Sequence, residues 1–244
     1  MKNSDQSPPF QVRVVPVTPF QQNCSIIRAP SGNAAVIDPG GEPEKILAAA
    51  NEFDAVIKQI WLTHGHLDHA GGAEAIKRKT DAPIIGPQHE DKFWLDEIEQ
   101  HWAQFGQPDM GENCAPDKWL EDGDTLVLDG LVFDVVYTPG HTPGHIVICH
   151  QPAKIAFVGD VLFAGSIGRT DFPRGDQQTL VNSITNKLWP LGDDIQFVPG
   201  HGPASTFGQE RRSNPFVADS VTGYAGTKET KQNDEAQRTA KRWR

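Results

Sequence analysis

Four apolar runs in this 244-residue chain each lead, within a few residues, to a histidine or an aspartate, and that pattern constrains the fold more than any other feature. Ile60-Trp61-Leu62-Thr63 runs into His64, and Val135-Val136-Tyr137-Thr138-Pro139-Gly140 runs into His141. Ile155-Ala156-Phe157-Val158-Gly159 precedes Asp160, and Ile195-Gln196-Phe197-Val198-Pro199-Gly200 precedes His201. Short runs rich in β-branched and aromatic residues and closed by Gly or Pro read as strands. Ends of strands lie along one rim of a layered sheet structure, so four such ends can converge on a single cleft.

The rest of the chain fits that frame. Residues 10–17, 24–28 and 34–37 read as an opening meander, and residues 42–52 as a helix with Pro43 in its first turn. A buried strand is expected over 56–62, a helix over 70–80 and a short strand over 83–86. A longer amphipathic helix is expected over 90–105, its Phe93, Trp94, Ile98, Trp102 and Phe105 serving as core or lid packing. Strands return over 125–128, 131–137, 146–149 and 155–158, followed by a helix over 177–188 and a strand over 195–198. Meanders alternating with helices predict an α/β (α+β) sandwich with sheets inside and helices outside. The expected division is a flexible N-terminus at 1–9, one domain over 10–216, and a polar, disordered tail over 217–244 that ends basic.

The formal charge of −10 argues against a nucleic-acid partner, because phosphate neutralisation needs clustered Lys and Arg. Cys24, Cys114 and Cys149 form no CxxC pair, so no disulfide framework is expected. The N-terminus lacks the apolar stretch of a signal peptide, and no apolar run approaches the roughly 20 residues that span a bilayer. The expectation is a soluble, cytoplasmic protein with neither membrane nor nucleic acid as partner.

Thr63-His64-Gly65-His66-Leu67-Asp68-His69 is the densest group of metal-type ligands in the chain. Residues at i and i+2 do not share a helix face, so a loop must turn these side chains inward, with Gly65 supplying backbone freedom. Imidazole nitrogen and carboxylate oxygen suit borderline divalent metals, with zinc expected first and iron or manganese as alternatives. His64, His66, Asp68, His69, His141, Asp160 and His201 together outnumber the four positions of one tetrahedral ion. Two ions sharing a carboxylate account for them. His89, His101 and His150 lack this context and read as structural or surface residues. His145, which opens the strand after His141, can serve behind the ligands.

Thr-His-Gly-His-Leu-Asp-His-Ala-Gly-Gly, with His141, Asp160 and His201 at later strand ends, resembles the metallo-β-lactamase fold superfamily. More narrowly it is similar to glyoxalase II, the hydroxyacylglutathione hydrolases, of the short bacterial kind without the C-terminal helical domain. The resemblance spans roughly residues 10 to 216. It implies a four-layer αββα sandwich in which His64, His66 and His141 hold one metal, Asp68, His69 and His201 hold the other, and Asp160 bridges them. Asp68 and Asp160 become the catalytic carboxylates. Asp38, in Val-Ile-Asp-Pro-Gly, either supports a histidine ligand through a hydrogen bond or forms an Asx-type turn before Pro39. The implied reaction is attack of a metal-bound hydroxide on a glutathione thioester such as S-lactoylglutathione, which agrees with the absence of a G-x-S-x-G nucleophile motif. Arg169 corresponds to a glutathione-contacting position, and Arg174 is a second, weaker candidate. Related chains imply two alternatives: a persulfide dioxygenase with a single iron, or a hydrolase of lactones, β-lactams or phosphodiesters.

Overall fold

Period-two alternation of apolar residues on both faces of the strands decides the architecture, because each sheet must then be covered twice. The structure, a computed structural model, describes residues 9–224. Its first half contains β1 (Gln11–Val17), β2 (Gln22–Arg28), β3 (Asn33–Ile37), α1 (Pro43–Glu52), β4 (Val56–Trp61), α2 (Leu67–Ala70), α3 (Ala73–Thr80) and β5 (Ile84–Ile85). These strands form one sheet in the order β1-β2-β3-β4-β5, antiparallel as far as β3 and parallel from β3 to β5. Helices α4 (Lys92–Leu95) and α5 (Ile98–Gln104) follow.

The second half opens with β6 (Thr125–Leu128), β7 (Leu131–Tyr137), β8 (Ile146–His150), β9 (Ile155–Gly159) and the small hairpin β10 (Leu162–Phe163) and β11 (Ser166–Ile167). It continues with α6 (Gln177–Ser183), a π turn at Ile184–Leu188, β12 (Gln196–Pro199), β13 (Ser205–Thr206), α7 (Phe207–Ser213) and α8 (Asp219–Thr222). The second sheet has the order β13-β12-β9-β8-β7-β6.

Alternation then sorts the core into three layers. Cys24, Ile26, Ala34 and Val36 face outward from the first sheet, onto Ile46 of α1, Ile76 of α3 and Trp102 of α5. Their neighbours Ile27, Ala35 and Ile37 face inward, where Trp61 meets Phe133, Val135, Ile148 and Phe157 of the second sheet. Val147 and Cys149 turn outward again, onto Leu180, Ile184 and Phe207. This is the four-layer αββα sandwich. Trp61 and Phe133 are fully buried, their rings edge to face at 5.1 Å, so truncating either one removes about 3–5 kcal/mol.

Topology sets the position of the cleft. Because β8 is antiparallel to both β7 and β9, and β12 is parallel to β9, the strands β7, β9 and β12 all run the same way. Their C-terminal ends therefore share one edge. The facing sheet is stitched to that edge by Ile146 N–H donating to the Thr63 carbonyl at 2.8 Å, and by Asn23 N–H donating to the Gly200 carbonyl at 2.7 Å.

Three local expectations change. The single helix expected over 90–105 is broken between α4 and α5, where Glu97 leaves helical geometry, so Trp94 and Trp102 serve different surroundings. The helix expected over 70–80 is split by Gly71-Gly72, because Gly72 N–H bonds the Pro39 carbonyl at 2.7 Å. Residues 217–224, placed in the tail from sequence, continue the packed domain. Val217 and Ala218 are buried, and Asp219 pairs with Arg211 at 2.9 Å. A disordered tail beyond 224 and flexibility at 1–8 concern residues outside those described. No helix among the described residues is long and apolar enough to cross a membrane.

Candidate metal centre

The segment after β4 delivers His64 and His66 from an extended loop, and Asp68 and His69 from the single helical turn α2, whose first hydrogen bonds run from His69 and Ala70 N–H to the His66 carbonyl. The segment is thus part loop and part helix. Gly65 is needed for space and not for a left-handed backbone: a Cβ there would lie 2.8 Å from Trp94 Cβ and 2.9 Å from the Asp91 carbonyl oxygen. Gly200 has the same role on the opposite side, where a Cβ would fall 2.5 Å from His69 Cε1 and overlap an Asp160 carboxylate oxygen.

The outer ring nitrogens fix the tautomers. His141 Nδ1 donates to the Arg169 carbonyl at 2.7 Å, His69 Nδ1 to Asp38 Oδ2 at 2.9 Å, and His201 Nδ1 to the Phe20 carbonyl at 3.1 Å. His64 Nδ1 stands 3.0 Å from Thr63 Oγ1, whose proton is committed to Asp38 Oδ2 at 2.6 Å, so the hydroxyl accepts from the ring. In its neutral form each of these rings therefore turns its Nε2 lone pair inward.

Two donor triads result, His64 with His66 and His141, and Asp68 with His69 and His201. In the first, His66 Nδ1 lies 3.1 Å from His64 Nε2 and 3.0 Å from His141 Nε2. Nitrogens on a tetrahedral ion stand about 3.3 Å apart, given metal–nitrogen bonds of about 2.05 Å. Burial, reinforced by the neighbouring imidazoles, holds the pKa of His64 and of His66 well below the usual histidine range, which keeps both rings neutral. In the second triad, His201 Nε2 is 3.2 Å from Asp68 Oδ2.

Asp160 lies between the triads. Its Oδ1 is 3.3 Å from His69 Nε2, and its Oδ2 is 3.6 Å from both His141 Nε2 and His201 Nε2. Burial would raise the Asp160 pKa, but His69, His141 and His201 drive it far below the carboxylate range. Burial likewise opposes charge on His69, and Asp160 and Asp68 override it and raise its pKa. The ionised Asp160 and the inward-turned nitrogens around it are a donor set that bound cations would stabilise. His69 Nε2 and Asp160 Oδ1 are buried without any hydrogen-bond partner, as atoms that ligate a divalent cation would be. The donor set fits two metal ions.

Asp38 makes the hydrogen bonds that a supporting group would make. Besides His69 it accepts from Thr63 N–H at 2.7 Å, so one carboxylate orients His69 directly and His64 through the Thr63 hydroxyl. A further group, Asp38 with His64 and His69, lies close enough to hold an ion, but these hydrogen bonds already occupy its carboxylate.

Asp91 and His145 complete the site. Asp91, fully buried, accepts from Gly65 N–H at 2.8 Å, Thr142 Oγ1 at 2.7 Å and Gly144 N–H at 2.5 Å, clamping the loop of His64 and His66 to the loop of His141. Nothing in His-Glu-Asp-Lys marks it in sequence. His145 Nε2 accepts from Asp160 N–H at 3.1 Å, the supporting role open to it from its position.

A cavity of about 760 Å³ opens over the triads, with His66, Asp68, His141, Asp160 and His201 on its floor. Arg169 lines it, paired with Asp171 at 2.6 Å and stacked over Phe172 at 4.3 Å. His101, read from sequence as structural or surface, lines it too. Arg174 is not among the lining residues: it pairs with Glu90 at 3.5 Å and covers Phe93 at 4.5 Å.

A family model described as the metallo-beta-lactamase superfamily matches residues 17–201, a span that contains both triads. The chain belongs to that superfamily. It is 49% identical over 209 residues to the hydroxyacylglutathione hydrolase GloC of Haemophilus influenzae, covering 85% of this chain and 98% of that protein. Among solved structures it is similar to the BLEG-1 B3 metallo-beta-lactamase, with a TM-score of 0.79 and 32% identity over 85% of this chain and 99% of that one. It is also similar to TTHA1623 in a di-iron-bound form, with a TM-score of 0.76 and 34% identity over 84% of this chain and 100% of that one. Membership and site chemistry together make the chain a metal-dependent hydrolase.

Proposed function

We propose that the chain is a dinuclear, glyoxalase II-like thioesterase that cleaves a hydroxyacylglutathione such as S-lactoylglutathione to hydroxy acid and glutathione. The observation that carries this reading is the pair of triads sharing Asp160 at the floor of one cavity. In this reading His64, His66 and His141 hold one cation, Asp68, His69 and His201 hold the other, and Asp160 lies against both. Zinc suits the nitrogen-rich donor set, with iron the second choice. Cations bound there supply Lewis acidity that activates water near neutral pH and polarises the thioester carbonyl.

The chain's own groups do the rest. Asp68 and Asp160 are the two carboxylates lining the cavity; Asp160 stays ionised between the two triads, and Asp68 takes the proton that the attacking water gives up. The Arg169 guanidinium, at the mouth, meets a carboxylate of the glutathione arm. The cysteines do not compete as nucleophiles. Burial raises the thiols of Cys24 and Cys114 and pushes Cys149 up to about 12, so none is a thiolate at neutral pH. The departing glutathione thiolate is a good leaving group and needs no strong acid. The Haemophilus influenzae relative supports the assignment, because this chain spans nearly its whole length.

Metal-loaded protein should release free thiol from S-lactoylglutathione, with two metal ions per chain by elemental analysis. Absence of thiol release ends this reading. Oxygen uptake with glutathione persulfide, at one iron per chain, would replace it.

A further inference from the structure

The cavity has two unlike ends. Beside His141 lies Arg169, held against Asp171 and Phe172. Beside His201, above the Asp68 carboxylate on the floor, the wall carries aromatic rings and no cationic side chain among its lining residues. The Phe163 ring is 6.3 Å from the His201 ring, and the Phe20 carbonyl holds His201 Nδ1 at 3.1 Å. The Phe20 ring then stacks on Trp102 at 5.6 Å and meets Phe105 edge-on at 5.3 Å. Phe20 and Phe105 nevertheless remain 40% and 59% exposed, although both line the cavity. Large apolar side chains left uncovered at the mouth of a cavity mark a surface that a ligand covers.

A thioester carbon is trigonal, so its thiol arm and acyl arm leave in different directions. If the carboxylate-bearing thiol arm lies toward Arg169, as the proposed function has it, the acyl arm points to the aromatic end. A lactoyl group ends at its methyl, one bond past the carbinol carbon, and reaches no further than the neighbourhood of His201 and Phe163. Phe105 lies one ring contact beyond Phe20. We infer that Phe163, Phe20 and Phe105 form an acyl subsite that selects glutathione thioesters carrying longer apolar or aromatic acyl groups over lactoyl. This rests on the thioesterase reading and specifies its substrate class.

The test is thiol release by the metal-loaded full chain from acetyl-, lactoyl-, butanoyl-, hexanoyl- and phenylacetyl-glutathione. The kcat/KM for hexanoyl should exceed that for acetyl by at least about tenfold, the gain from seating even one of its four extra methylenes in an apolar pocket. Phe105→Ala should lower the hexanoyl-to-acetyl ratio by about tenfold, and Phe20→Ala should act in the same direction. Phe105 is largely exposed, so its variant keeps the test alive if Phe20→Ala, which uncovers Trp102, fails to fold. A flat or falling series with lactoyl still cleaved overturns the acyl subsite and leaves the thioesterase intact. An unchanged ratio in Phe105→Ala overturns it as well. Failure to cleave any member removes the thioesterase reading and this inference with it.

Discussion

Asp91→Asn separates the clamp's geometry from its charge. The buried Asp91 carboxyl has its pKa raised from 3.8 to about 6 by burial, which outweighs the lowering effect of Thr142, Gly65 and Gly144 as donors. A shift of about two units corresponds to about 3 kcal/mol. The folded pKa is above the unfolded one, so the folded state holds the proton more tightly. Protonation therefore stabilises the fold fully below pH 3.8, and this contribution is lost as pH rises through about 6. Between pH 5 and 8 the loss amounts to about 1.4 kcal/mol. Asparagine removes that dependence, but its amide NH₂ must face Gly65 N–H or Gly144 N–H, which pushes one loop away from the other.

The assay is denaturant unfolding of wild type and Asp91→Asn at a series of pH values, combined with metal-binding titrations near neutrality. The stability difference between the two proteins should change by about 1.4 kcal/mol in favour of the variant from pH 5 to 8. Affinity at the His64–His66–His141 triad should fall by about 10–100-fold, the usual effect of losing a group that orients ligands. Parallel stability curves would refute the burial argument, and unchanged metal affinity would refute the clamp.

Asp68→Ala should reduce bound metal from two ions to one per chain and depress turnover by at least about a hundredfold, read by elemental analysis beside thiol release. Gly200→Ala forces a methyl against Asp160 and His69, so metal content should fall even where circular dichroism shows an intact fold. Asp38→Ala frees His69 Nδ1 and Thr63 Oγ1 together, and about 10–100-fold weaker metal binding is expected by calorimetry. Removing metal with a chelator should lower the melting temperature, and re-adding it at a hundred times its Kd should restore about 2.7 kcal/mol.

The candidate donor residues are legible in sequence because each follows a strand closely, and a strand's direction fixes where its next residue lies. His141, Asp160 and His201 needed only that rule. Asp91 is illegible for the opposite reason. It acts across 26 residues to Gly65 and 53 to Gly144, and no local pattern encodes a contact between two loops. Gly65 shows a subtler gap. Sequence reads a glycine as conformational freedom, whereas this one admits Trp94 and Asp91 against the backbone. The helix expected over 90–105 breaks because its apolar residues satisfy two different surroundings, with Trp94 edge-on to His66 at 4.5 Å and Trp102 under Phe20.

The same distinction bears on substrate choice. The floor of the cleft is built from the segments that follow β4, β7, β9 and β12, so the sheet edge fixes where each candidate metal donor lies. The apolar end of its wall comes from elsewhere: Phe20 from the turn between β1 and β2, Phe105 from the end of α5, and Phe163 from the β10–β11 hairpin. Turns and helix ends tolerate substitution without disturbing the sheet edge behind them. On the proposed reading chemistry and specificity sit on different parts of one fold, and changes at Phe20 or Phe105 should retune the acyl group accepted while both triads stay in place.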